Sequence, residues 1–121
     1  MKYFDEKKME SIQKDFEKTV MKWPGVVSRP MMGCLCYLYN RKFVGILVTD
    51  GIIIMKLVEE DQARLKREFG GKPFEMAGKT GRMWVTPLKS TADVEKVMPF
   101  VKKRYDEISR EVVVSTVPSS S

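Results

Sequence analysis

Between Arg29 and Leu57 the chain reads RPMMGCLCYLYNRKFVGILVTDGIIIMKL, and few folds other than a β-meander accommodate such a run. β-Branched and aromatic residues dominate it, and breaks fall at short intervals. Asn40-Arg41-Lys42 supplies one turn. Asp50-Gly51 supplies another, since both residues tolerate the left-handed backbone that a two-residue hairpin demands. The predicted strands are Cys34 to Tyr39, Phe43 to Thr49 and Ile52 to Leu57. Val26 to Arg29 can precede them, with Pro30 marking an edge or a bulge because it has no N–H to give to a ladder.

The flanking segments read as cover. From Phe4 to Lys22, Met9, Ile12, Phe16, Val20 and Met21 recur at helical spacing and predict an amphipathic helix ending at Trp23-Pro24-Gly25. Glu59, Glu60 and Asp61 suit the positive end of a second helix, which Gly70-Gly71 closes. Lys72 to Met76 and Arg82 to Thr86 read as a second, shorter hairpin around a loop at Ala77 to Gly81. Ser90 or Thr91 caps a last helix that Pro99 is expected to divide. The expectation is a single α+β domain over residues 1–112 with a flexible tail at 113–121. Its antiparallel sheet has five strands, meander plus hairpin, with three helices mainly on one face in the order α-β-β-β-α-β-β-α.

Composition narrows the chemistry. There is no histidine and there are only two cysteines, Cys34 and Cys36, so Ser-His and Cys-His catalysis and a zinc site of N and S ligands are set aside. Same-face neighbours on one strand have parallel Cβ vectors, so these cysteines read as buried small hydrophobes rather than a disulfide. No phosphate-loop or dinucleotide fingerprint occurs among the glycines, and no cofactor is expected. No carboxylate pair has the setting of a general acid and base, and the chain reads as non-enzymatic, with small-molecule binding or an enzymatic role as the third reading after protein interaction and nucleic-acid binding. A charged N-terminus without an apolar core, and no apolar run near the length of a span, make a soluble cytoplasmic protein the expectation.

Two binding surfaces are legible. The formal charge is +6, and between Arg64 and Arg104 eleven basic residues face four acidic ones. Arg64, Lys66, Arg67, Lys72, Lys79, Arg82 and Lys89, with Trp84 to stack a base, form the candidate nucleic-acid surface. The second surface comes from the meander, which is apolar on both faces. Leu35, Tyr37, Tyr39, Val44, Ile46 and Val48 are expected on the face the helices leave bare, several hundred Å² of it, which calls for a protein partner and most simply a homodimer.

The run Arg29-Pro30-Met31-Met32-Gly33-Cys34-Leu35-Cys36-Tyr37 resembles the Arg-x-Met-Phe-Gly-Gly-x-Gly run of the TfoX N-terminal domain family. Ile53-Ile54-Met55-Lys56 is similar to that family's Leu-Tyr-Leu-Lys, Pro73-Phe74 follows, and Trp84-Val85-Thr86-Pro87 is similar to its Tyr-x-x-Pro. The departures are Met32 for Phe, and Cys34 and Cys36 for two glycines. The resemblance implies a fold similar to type III secretion chaperones and a regulatory role of the kind seen in natural competence, exercised together with a transcription factor.

Overall fold

The computed structural model describes the backbone of residues 1–76 and 79–116, and the side chains of 1–72 and 84–111. Three helices and one antiparallel sheet form a single α+β unit. In chain order these are α1 (Glu10–Val20), β1 (Val26–Met31), β2 (Cys34–Tyr39), β3 (Lys42–Val48), β4 (Gly51–Ile53), α2 (Glu59–Phe69), β5 (Lys72–Met76), β6 (Lys79–Pro87) and α3 (Thr91–Thr116). The strands lie in the order β1-β2-β3-β4-β6-β5. The sheet therefore has six strands rather than five, because Val26–Met31 pairs with β2 along its whole length. Pro30 is accommodated because β1 is the edge.

The turn expected at Asp50-Gly51 falls one residue earlier, on Thr49-Asp50, because Gly51 opens β4 opposite Val48. Met32, Asn40, Arg41 and Asp50 all take positive φ in the hairpin connections. α1 is shorter than the apolar spacing predicts. The Asp5 carboxylate accepts the N–H groups of Lys7 and Lys8, each at 3.1 Å, and holds residues 5–9 in turns that keep Phe4 and Met9 in the core. Gly70 ends α2 in the left-handed conformation, with Gly71 N–H donating to Leu65 O. Ser90 Oγ caps α3 by accepting from Asp93 N–H, and Asp93 Oδ2 accepts from Lys89 N–H, the residue before the cap. Pro99 does not divide α3, which runs through it. Pro99 and Glu95 are both exposed, so the carbonyl that loses its helical partner faces water. The expected loop at Ala77 to Gly81 is shorter, since β6 already begins at Lys79; Ala77 and Gly78 lie outside the described residues.

A β-bulge decides which side chains face the helices. Leu38 pairs with Phe43 and Tyr37 with Gly45, leaving Val44 as the extra residue and shifting the phase of β3 by one. Leu35, Tyr37, Val44, Leu47 and Ile52 consequently join α1 and α3 in the main core, where Ile12, Phe16, Val97 and Val101 meet them. Cys34, Cys36, Ile46, Val48, Ile53 and Val85 form a second cluster on the other face. α2 attaches through Leu65 and Phe69, which pack on Phe100 of α3 and on Leu57. Lys103 Nζ to Asp61 at 2.5 Å ties the same two helices.

This arrangement corrects the expected partner face. Leu35, Tyr37 and Val44 are buried under the helices and Tyr39 packs against the same cluster, whereas Ile46 and Val48 lie on the opposite face. That opposite face is not bare either. Its six core members are at most 6% exposed, with Tyr3, Met31, Leu38, Phe43 and Met55 packed around them. Tyr3 is held there by a strap across the sheet end. Its N–H donates to Gly33 O at 2.6 Å and its carbonyl accepts from Thr49 N–H at 2.8 Å.

A candidate binding cleft beside Trp84

β4 ends after three residues because the chain must leave the sheet. Met55 still belongs to the second cluster, but Leu57 is needed beside Leu65 and Phe100, and strict alternation would leave both on one face. Lys56 reverses the phase by adopting φ 57°, the only positive φ of a non-glycine residue outside the hairpin turns among the described residues. The departing strand, α2 and β6 then fail to close on one another. They leave a cavity of about 210 Å³ where the three core clusters meet.

Its walls are mostly apolar. Ile53, Leu57 and Leu65 line it from three sides, and Trp84, 37% exposed, forms the β6 wall. Gln62 is fixed by donating Nε2 to Leu57 O at 2.7 Å, and the buried Thr86 supplies a hydroxyl. Lys66 Nζ lies 3.7 Å from the Trp84 ring centroid, a cation–π contact. Among the described residues no carboxylate lines the cleft and none is ion-paired with Lys66. Lys56 also lines it, although its charge is felt by Glu111, whose carboxyl is held below its ordinary range first by its hydrogen bond to Lys42 and then by the Lys42, Arg104 and Lys56 charges. Lys56 and Lys66 are thus the two cations of the described lining, and Lys66 is the one seated on the Trp84 ring.

The expected nucleic-acid surface is only partly assembled. Lys66 reaches the cleft, but Arg64 is engaged with Glu68 at 2.6 Å and lies over the Phe100 ring. Arg67 and Lys72 are exposed nearby, Lys89 sits beyond the far end of β6 at the start of α3, and the side chains of Lys79 and Arg82 lie outside the described residues. α2 itself carries Glu59, Glu60, Asp61 and Glu68 against Arg64, Lys66 and Arg67, so it is not a cationic face. Trp84 stands in a strand as anticipated, yet one face of its indole is already occupied by Lys66.

The residues singled out for the TfoX resemblance are dispersed. Arg29, Met31, Met32 and Gly33 lie in β1 and its turn, Lys56 and Trp84 at the cleft, Pro73 opposite Trp84, and Pro87 at the end of β6; the Phe74 side chain is outside the described residues. Sequence reading missed Gln62 and Thr86, which carry no motif. The cysteines are free and buried, and burial pushes the Cys36 thiol up to about 11, Cys34 being raised by the same cause. No described helix is long and apolar enough to cross a membrane. No protein-family model, curated protein or solved structure matches the chain.

Proposed function

We propose that the chain is a non-enzymatic regulatory domain of the reducing cytoplasm, of the kind its TfoX resemblance implies, and that it engages an anionic partner at the cleft beside Trp84. The observation that carries this reading is the Lys66 ammonium resting on an exposed indole at the mouth of an apolar cavity with no described carboxylate in its lining. An aromatic wall and an uncommitted cation form a recognition element for a partner with both apolar and anionic parts. Trp84 also provides the assay. In a Trp23→Phe background its fluorescence is titrated at low ionic strength with a single-stranded oligonucleotide, an acidic peptide and small organic anions. A saturating change that Lys66→Gln weakens supports the reading. No change with any of the three, or a change indifferent to Lys66→Gln, overturns it. Binding of the oligonucleotide alone, falling steeply with salt, would favour the nucleic-acid alternative.

A second reading is self-association through the outer sheet face. It draws on a row of apolar side chains, Val27, Leu38 and Phe43, paired across three strands, with Val27 51% exposed. Pro30 and Arg29 obstruct edge pairing beyond Ser28, so a second copy would pack face to face. Sedimentation equilibrium at micromolar concentration tests it: a dimer that Val27→Lys dissociates supports this reading, and a monomer removes it.

A further inference from the structure

The size and charge of the cleft restrict its occupant further. A volume of about 210 Å³ lies below the roughly 300–1,000 Å³ of pockets that take drug-sized ligands. That is room for one side-chain-sized organic body and not for a run of peptide or a whole nucleotide. Ile53, Leu57 and Leu65 are nearly fully buried, so a group entering among them leaves water for an apolar setting. Polar recognition falls to two ammonium groups, Lys56 and Lys66, with no guanidinium in the described lining. A phosphate dianion is better served by a guanidinium fork, which the described lining does not offer. A carboxylate head on an apolar body matches an ammonium that rests on an apolar wall. The indole face under Lys66 is a ready platform for that body, and the ammonium has no described carboxylate to abandon when it turns to the ligand.

We infer that the cleft takes a small organic monoanion, a carboxylate on an aliphatic or aromatic body of side-chain size, with the body against Trp84 and Leu65 and the carboxylate on Lys66. This rests on the cleft being the binding site. Its left-handed residue, Lys56, lies in the lining, so an occupied cleft also bears on how β4 hands over to α2.

Octanoate, octanol and inorganic phosphate serve as probes, followed by the Trp84 indole N–H resonance of the full chain. Octanoate is expected to shift that resonance saturably, and Lys66→Gln to weaken it about tenfold, equivalent to about 1.4 kcal/mol. Lys22→Gln, exposed and distant in the sheet topology, should leave it unchanged. Octanol and phosphate should each bind at least tenfold more weakly. Equal binding of octanol, equal binding of phosphate, or no response to octanoate overturns the inference. If octanoate fails while an acidic peptide or an oligonucleotide still moves the Trp84 resonance in a Lys66-dependent way, the cleft stands as the binding site and only the ligand class falls. If nothing moves it, both fall.

Discussion

Removing one oxygen from Tyr37 tests the main core at its polar centre. Tyr37 is fully buried, packs its ring on Phe16 with centroids 4.9 Å apart, and donates its hydroxyl to Glu17 Oε2 at 2.6 Å. Tyr37→Phe keeps the ring and deletes only the donor. A hydrogen bond to a charged acceptor contributes about 1.5–3 kcal/mol. Glu17 is half-buried and retains Gln13 Nε2 at 3.3 Å, so its carboxylate is not stranded and the lower part of that range applies. The expected loss is about 1.5–2 kcal/mol, or roughly 6 °C in Tm for a domain of this size. Urea denaturation should show it as a lower midpoint with an unchanged slope. A cycle with Glu17→Gln should give a coupling of about 1 kcal/mol. The pair also sets a pH dependence. Burial first, and then the hydrogen bond and charge of Glu17, raise the Tyr37 hydroxyl above its ordinary value. Because the folded value is raised, the neutral phenol's contribution is complete below the unfolded value of about 10 and declines above it by about 1.4 kcal/mol per pH unit. Tyr37→Phe should lack that alkaline component. A variant within 0.5 kcal/mol of the parent, or a coupling of zero, would refute the hydrogen bond as a source of stability.

Glycine positions give predictions of opposite sign. A Cβ on Gly45 would meet Ile52 Cδ1 at 3.5 Å, ordinary contact, so Gly45→Ala should stabilise by about 0.4–1 kcal/mol through the unfolded chain. On Gly51 it would lie 2.3 Å from Val85 Cγ2, and Gly51→Ala should cost about 1–3 kcal/mol; thermal melts of both variants check the pair. Arg104, 2% exposed, donates Nε to Phe43 O at the bulge and Nη1 to Glu107 at 2.8 Å. Arg104→Met should lose about 2 kcal/mol in urea titration, and Glu107→Gln, with the partner nearer solvent, less than 1 kcal/mol. Cys34 and Cys36 should resist a thiol reagent at pH 8 in the native protein and both react in urea. The Cys36 value is raised from 9.0 to about 11, so its share of stability is present below pH 9 and is lost as the pH rises to 11.

Much of the sheet was legible because its signals are local. Asn40-Arg41 states its turn outright and Gly70 the end of α2, while Asp50-Gly51 marks its hairpin one residue late, since Thr49 and Asp50 make the turn and Gly51 already pairs with Val48. The faces were not, because a single inserted residue reverses every side chain after it. Gly45 inside an otherwise apolar strand was the available sign of a bulge. Pro99 misled in the other direction, since whether proline breaks a helix depends on what its missing N–H faces. The cleft lay beyond sequence reading for a different reason. Lys66 and Trp84 meet only because α2, ended at Gly70, leads into β5, which pairs with β6 at Trp84, and nothing in Lys56 announces a left-handed backbone.

The strand order carries a kinetic consequence. β1 to β4 pair in sequence, each with the next, so their contacts form across short loops. β4 meets β6 only after α2 and β5 have intervened, with Ile52 opposite Thr86, and α1 meets α3 across nearly the whole chain. Loop closure therefore favours the meander as the early-folding part, with the β4 to β6 seam forming later. The cavity beside Trp84 lies on that seam. It belongs among the last features to assemble, and a partly folded chain would hold the meander without the cleft.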